Sequence, residues 1–340
     1  MNSSELKRYD RQMLLPELGI EGQQKLKAAS VLVIGAGGLG SPVLLYLSAA
    51  GIGHIGVIDH DLVDESNLQR QILYNTNDIG KNKAETAVAK LQLLNPHIGF
   101  DSYPFKLTVD NAATIIGKYE LVVDGSDNFP TRYLVNDTCV ELGKPLVFGS
   151  LFKFEGQVSV FNFMGGPDYR SLYPEPPLAE DVPNCGESGV IGTLPGIVGT
   201  HMANEAIKLI GSFGEILSGK LMTIDALNND VRIFNLQKQT HADQKTIAKS
   251  PPLISITIDD LRDWQDRKED FLLIDVREVY EYEESNIGGL NIPLYDLVDQ
   301  LSELPLTQKL VFYCTTGYRS KIAINLAHAK RFKQLFFIKN

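Results

Sequence analysis

The 340-residue sequence predicts two α/β domains in tandem. The first is a parallel, doubly wound sheet with an antiparallel extension, and the second is a smaller α/β unit. Three observations predict this. Short, continuous apolar runs alternate with helix-length segments, as strands buried on both faces require. The first apolar run, "VLVIGAGGLGSP", ends in Gly35, Gly37 and Gly40, spaced G-x-G-x-x-G like a Rossmann strand that feeds a helix around phosphates. The polar stretch Gln237 to Pro252 has few large apolar residues and closes on Pro-Pro, so it reads as a connector. The expected division is a domain over 1–238, a linker over 239–253 and a domain over 254–340.

The elements follow in order. "ASVLVIG" is a buried strand and "SPVLLYLSAAG" a helix closed by Gly51. "HIGVID" is the second strand, "NKAETAVAKLQLLNP" a helix stopped by Pro96, and "YELVVDGSDN" the third strand. "TRYLVNDTCVELG" is a helix with Cys139 on its apolar face, and "PLVFGS" is the fourth strand. "EGQVSVFNF" alternates like a hairpin arm, and "TLPGIVGTHMANEAIKLIGS" is an apolar helix. "GKLMTIDALNNDVRIFNL" gives two strands joined by a tight turn at Asn228-Asn229. From Ile254 a second alternation begins: "FLLIDVRE" and "KLVFYCTTG" are strands, "SKIAINLAHAKR" a helix and "QLFFI" a last strand.

Composition narrows the function classes. Apolar residues make up 44% and charged residues 22%, an ordinary globular balance. The net charge of -10 argues against nucleic-acid or anionic-membrane binding, which needs a basic face. Three cysteines without paired spacing and a polar N-terminus point to a reducing, cytoplasmic setting. Val31 to Ile58 carries no acidic residue, lysine or arginine, but its glycines and proline cut it into pieces too short to span a bilayer.

At the first glycine turn, backbone amides can approach a phosphate at the positive end of a helix. Asp59 ends the next strand, 24 residues after Gly35, where a carboxylate accepts from ribose hydroxyls. Up to this point NAD and ATP fit equally. "DHDLVDESNLQRQ" then offers Asn67, Gln69 and Arg70, and Lys83 follows. Two cations near a phosphate loop suit a triphosphate and its pyrophosphate leaving group better than hydride transfer. "DGSDN" ends the third strand with Asp127 and Asn128, and a carboxylate at Asp127 suits magnesium bridging phosphates. Asp124 competes for that role but also terminates the strand.

The motifs "RYDRQMLLPELGIEGQQKL", "GAGGLGSPV", "DHDLVDESNLQRQ", "GKNKAE" and "DGSDN" occur in order at family spacing. Together they resemble the MoeB/ThiF/HesA adenylyltransferases, relatives of the ubiquitin-activating enzymes, over residues 5 to about 238. The resemblance implies ATP-dependent adenylation of the C-terminal Gly-Gly carboxylate of a ubiquitin-like sulfur carrier. It implies that Gly38, Asp59, Asn67, Arg70, Lys83 and Asp127 contact ATP or its magnesium. It also implies a homodimer in which Arg11 enters the partner's site. Such a carboxylate nucleophile is already ionised at neutral pH, so the site needs position and positive charge rather than a general base. Cys185 matches the loop cysteine that in some relatives forms a thioester or disulfide with the carrier; an incidental exposed thiol is the alternative. Many relatives hold a structural zinc on two C-x-x-C pairs. Here "PDYRSL" stands at the first pair and "NLQKQTHADQKT" at the second, so no zinc is expected, with packing around Tyr169 and Tyr173 in its place.

In "FYCTTGYRS", Cys314 follows a strand, Arg319 lies five residues on and Ser320 opens a helix. A loop of inward amides and a helix N-terminus stabilise an anionic sulfur. With "FLLIDVREVYEYEESNIGGLNIPL", this resembles a rhodanese-like sulfurtransferase domain, whose cysteine carries a persulfide. Asp275 and Arg277 match that family's strand-end pair. Asn286 replaces its frequent histidine, and the domain is shortened after "QLFFIKN", without the usual closing glycines and helix. The sulfur donor expected is a cysteine desulfurase persulfide or thiosulfate, and the pathway molybdopterin or thiamine synthesis. Two rivals stay open: an NAD-dependent oxidoreductase, and an adenylating enzyme whose second domain only docks or senses.

Overall fold

The computed structural model describes residues 1–175, 189–236, 253–294, 296–301, 304, 306–315 and 317–338. The described residues fall into two compact units, 1–175 with 189–236, and 253–338. Cys185 lies outside the described residues, as do Gln237 to Pro252 and most of the second stretch considered for zinc.

The first unit begins with two helices, α1 (Ser3–Met13) and α2 (Gly19–Ala28). Then come β1 (Ser30–Ile34), α3 (Gly40–Ala50), β2 (His54–Ile58), α4 (Lys83–Leu94) and β3 (Gly99–Tyr103). These are followed by α5 (Ala112–Ile116), β4 (Leu121–Asp124), α6 (Phe129–Glu141), β5 (Leu146–Phe152) and β6 (Glu155–Phe161). The unit closes with α7 (Tyr169–Leu172), α8 (Thr193–Gly211), β7 (Lys220–Asp225) and β8 (Asp230–Asn235). The sheet order is β3-β2-β1-β4-β5-β6-β7-β8, parallel through β5 and antiparallel from β5 to β8.

Alternation along β1 shows why the strands read as unbroken apolar runs. Val31 and Val33 enter one core, with Val43, Leu47 and Val198 of α3 and α8. Leu32 and Ile34 enter the other, with Ile116 and Val135 of α5 and α6. Both faces are therefore buried, and no strand position favours a polar residue. The uncharged run from Val31 to Ile58 is divided among β1, the glycine turn, α3 and β2; among the described residues no helix is long and apolar enough to cross a membrane.

One strand of this sheet escapes the sequence pattern. β3, "GFDSY", is an edge strand with every residue half-buried, so it carries no apolar run. The antiparallel extension and the turn at Asn228-Asn229 form as expected. Asp225 accepts from the amide of Leu227 at 2.8 Å, and Asn229 takes a φ of 57°.

The second unit contains β9 (Ile254–Ile256), α9 (Ile258–Asp266), β10 (Phe271–Asp275), α10 (Val279–Glu284), β11 (Leu290–Asn291), α11 (Leu297–Gln300), β12 (Lys309–Tyr313), α12 (Tyr318–Ala329) and β13 (Leu335–Ile338). Its sheet runs β11-β10-β12-β13-β9, all parallel. Ile274, Phe312, Ala323, Ile324 and Phe337 anchor a core of its own. The short strands β9 and β11 have too few residues to register as a pattern.

Candidate nucleotide and sulfur sites

In the first unit the order reverses between β1 and β4, since β1 leads outward to β2 and β3 while β4 leads to β5. The crevice beyond the C-terminal ends of strands at such a switch point is where open α/β sheets bind ligands. The glycine turn follows β1, Asp59 follows β2, and the 125–128 segment follows β4. Two glycines are required by geometry. Gly35 adopts a φ of +84° against the carbonyl of Gly125, and a Cβ on Gly40 would stand 1.9 Å from the Gly35 carbonyl oxygen.

Asp59 grips the turn rather than merely facing it. Its Oδ2 accepts from the amide of Ala36 at 2.8 Å, and Oδ1 accepts from the amide of Asp61 at 2.9 Å. Burial pushes the Asp59 carboxyl up, opposed by those two amides and by the Lys83 charge. Lys83 opens α4 with its side chain only 7% exposed, and its Nζ lies 3.2 Å from Asp61 Oδ2. Asn82 caps that helix by accepting from the Glu85 amide at 3.1 Å. Tyr74 joins the parts: its hydroxyl lies between the carbonyls of Ala36, at 2.9 Å, and Lys83, at 3.1 Å, and shares its one proton between them.

Arg70 donates to the Ser66 carbonyl at 3.1 Å, and its Cδ lies 3.8 Å from where a Cβ on Gly38 would stand. Asn67 is half-buried and donates to Ser66 Oγ at 3.3 Å. Gln69 is exposed, with its backbone and side-chain oxygens against Gly192 at the start of α8. A Cβ added to Gly37 would meet the side chain of Gln71 first, at 3.5 Å. Asp127 is exposed beyond β4, with Asn128 Nδ2 3.4 Å from its Oδ1. Asn128 also caps α6, accepting from the Thr131 amide at 3.0 Å. The rival carboxylate Asp124 is buried, and its Oδ1 accepts from the Ser126 amide at 2.9 Å. Arg11 sits exposed in the last turn of α1. Among the described residues, Asp59, His60 and Asp61 are the group whose ligand atoms lie close enough to share a metal ion.

At the place considered for the first zinc pair, Asp168 caps α7 by accepting from the Ser171 amide at 2.8 Å. Tyr169 is buried there among aromatic rings, 5.1 Å from those of both Tyr133 and Tyr173 and 5.2 Å from that of Phe148. Cys139 is buried in the same core, which pushes its thiol up.

In the second unit Cys314 directly follows β12 and is fully buried. Its Sγ accepts from the amide of Ser320, in the first turn of α12, at 3.4 Å. Gly317 makes the turn into that helix with a φ of 75°. Arg319 forms a bidentate pair with Glu281 of α10, at 2.6 and 2.8 Å. Asp275 and Arg277 form a second bidentate pair, Nη2 to Oδ2 at 2.6 Å, with Asp275 wholly buried. Arg277 also donates to the Ser285 carbonyl at 2.7 Å. Asn286 donates to the Tyr282 carbonyl at 2.9 Å.

Tyr74, Asp61 and Arg132, whose Nη2 donates to the Ser126 carbonyl at 3.1 Å beside Asp127, belong to this picture and carry no sequence signal. Tyr74 has no motif around it, and Asp61 is one of four acids in "DHDLVDE". Arg132 lies in a helix that reads as ordinary amphipathic sequence.

The fold and the switch-point crevice define a nucleotide-binding α/β class, and the comparisons specify it. Residues 9–246 match the ThiF family and residues 257–340 match the rhodanese-like domain. The chain belongs to the ThiF family and carries a C-terminal rhodanese-like domain. It is 42% identical over 347 residues to the Mycobacterium tuberculosis protein named "Probable adenylyltransferase/sulfurtransferase MoeZ", covering 95% of this chain and 88% of that one. It is 53% identical over 239 residues to the sulfur carrier protein adenylyltransferase of Thermus thermophilus, covering 69% and 88%. In fold it resembles the solved structure of Escherichia coli MccB with ATP, at a TM-score of 0.59 and 24% identity, covering 70% of this chain and 73% of that chain.

Proposed function

We propose that this chain adenylates the C-terminal Gly-Gly carboxylate of a ubiquitin-like sulfur carrier with ATP and then delivers sulfur to it from Cys314. The observation that carries the first step is the convergence of the glycine turn, Asp59, Arg70, Lys83 and Asp127 on one end of one sheet. In this reading the carrier carboxylate attacks the α-phosphorus, the bond to the β-phosphate oxygen breaks, and pyrophosphate leaves. The glycine turn and the α3 N-terminus hold phosphate oxygens, Asp59 the ribose, and Asn67, Gln69 and Asn128 the rest of the nucleotide. Arg70, Lys83 and a partner chain's Arg11 offset charge that develops in the transition state. Asp127 would hold magnesium, which neutralises the phosphates. The aromatic packing of Tyr169 supports a first domain closed without zinc.

In the second step the terminal sulfur of a Cys314 persulfide attacks the acyl-adenylate, AMP leaves and an acyl disulfide forms. A thiol from solution then takes the Cys314 sulfur into a disulfide and releases the carrier thiocarboxylate, and Cys185 is the candidate for a thioester or disulfide with the carrier. The persulfide comes from a cysteine desulfurase or from thiosulfate, in the cytoplasm, and the product serves molybdopterin or thiamine synthesis. The protein acts as a homodimer, with 1–238 as the adenylating domain and 254–340 as the sulfur-carrying one.

The test separates the two chemistries. Asp127→Ala should lose ~10²–10³ of carrier-dependent pyrophosphate exchange into ATP, the usual cost of one preorganised charge partner. Cys314→Ser should keep exchange and form no thiocarboxylate, a product ~16 Da heavier than the carboxylate carrier because sulfur replaces oxygen. Undiminished thiocarboxylate in Cys314→Ser, with no free sulfide present, would reduce the second domain to docking.

A further inference from the structure

The adenylation reading leaves two charged residues beneath its catalytic loop without a task. Asp124 ends β4 at 1% exposure, in a strand whose other residues are all buried and apolar. A carboxyl there costs free energy that a hydrophobic residue would not. Its Oδ1 accepts from the Ser126 amide at 2.9 Å. Arg132, in the first turns of α6, donates from Nη2 to the Ser126 carbonyl at 3.1 Å. Both polar groups of the Ser126 backbone are thus held, one by each of two opposite charges. Hydrogen bonds of this charge-assisted kind are about twice as strong as neutral ones.

The surroundings hold the clamp in place. The Arg132 guanidinium lies over the rings of Phe129 and Phe148, 5.5 Å from each centroid. Its charge acts on Asp124 and also on Tyr169, which is 1% exposed. Gly125, the residue between Asp124 and Ser126, donates to the Ile34 carbonyl at 2.8 Å and packs on Gly35. The same backbone therefore touches the phosphate turn. Around the loop the buried Asp124 carboxylate faces the Ser126 side chain, and the buried Tyr169 hydroxyl faces the Arg132 side chain.

The Ser126 carbonyl belongs to the peptide that leads into Asp127. On the other side, Asn128 is fixed as the cap of α6. Asp127 is therefore presented to the crevice from a short segment pinned at both ends. We propose that Asp124 and Arg132 are positioning residues that set the placement of Asp127 by clamping the Ser126 peptide. This rests on the reading of Asp127 as a residue of the ATP site. Substrate binding is shared with the glycine turn, Asp59 and Lys83. A loosened Asp127 should therefore slow the step in which charge develops, more than it weakens ATP binding.

The experiment uses the full chain, with magnesium, ATP, radiolabelled pyrophosphate and the sulfur carrier protein of Thermus thermophilus as probe. Asp124→Ala, Asp124→Asn and Arg132→Met are made alone and in the Asp127→Ala background. Asp124→Ala and Arg132→Met should lower kcat by about 10-fold or more, with KM for ATP within about 2-fold of wild type. Asp124→Asn keeps an acceptor for the Ser126 amide and should recover most of that loss. On top of Asp127→Ala the same substitutions should cost nothing further, because they act through the residue already removed. In the free protein, the Ser126 amide should exchange with deuterium about 10-fold faster in Asp124→Ala than in wild type. Should Asp124→Ala fail to fold, Asp124→Asn and Arg132→Met carry the same comparisons. Wild-type exchange in Asp127→Ala would overturn the reading of Asp127 itself. An impaired Asp127→Ala, with losses from Asp124→Ala or Arg132→Met that multiply onto it, or an unchanged Ser126 amide, would overturn only the clamp.

Discussion

Gly40→Ala is the sharpest perturbation of the nucleotide site, because the clash it creates is with backbone. The added Cβ would stand 1.9 Å from the Gly35 carbonyl oxygen and 2.8 Å from its carbon, where ordinary contact begins at 3.4 Å. No side chain can rotate away. The start of α3 and the glycine turn must part by about 1.5 Å, and overpacking of this kind costs ~1–3 kcal/mol, here toward the upper end. In a domain of this size each kcal/mol moves Tm by about 2–4 °C, so a fall of roughly 5–10 °C is expected. A misplacement near 1 Å commonly costs ~10² in rate, so pyrophosphate exchange should drop by at least that factor. Gly37→Ala is the comparison: its nearest neighbour would be Gln71 Nε2 at 3.5 Å, an ordinary contact, so Tm should hold. Scanning fluorimetry and isotope exchange measure both effects. Persulfide loading of Cys314 is the internal control, since the second unit has its own core. Unchanged Tm and exchange in Gly40→Ala would refute the close approach of turn and helix.

Other outcomes follow from the same sites. If Arg11 completes the partner's site, mixing Arg11→Ala with Asp127→Ala chains should restore part of the exchange activity; mixed dimers that form and stay inactive would exclude sharing. Asp275→Asn leaves Arg277, 6% exposed, without its wholly buried partner. Breaking such a pair costs about 3–5 kcal/mol, so proteolysis should cut the second unit while exchange by the first persists. Cys139 should resist alkylation at pH 8 until the chain is unfolded, because burial pushes its thiol up; modification of Cys139 in the native protein, read by peptide mass, would contradict its core position.

How far the sequence reveals this molecule depends on whether a residue's role is local. β1 and β4 are plain because "VLVI" and "LVV" supply both cores at once, leaving no polar position to blur the run. β3 is hidden because an edge strand with a half-buried "GFDSY" needs no such run. The same division governs the site. Gly35 and Asp59 follow strands, and Gly40 and Lys83 open helices, whose ends are marked in sequence, and each lies within the crevice's framework. Tyr74 and Arg132 act by reaching across the fold, to carbonyls of residues 36 and 83 and of residue 126, and no spacing rule encodes such a reach. Arg319 shows the converse. Its sequence position beside Cys314 suggests a cation devoted to the sulfur, yet the fold brings Glu281 from another helix to bind both of its terminal nitrogens. The positive potential at Cys314 must then rest more on the amides that open α12, of which Ser320 already reaches the sulfur, than the spacing of the motif alone would suggest.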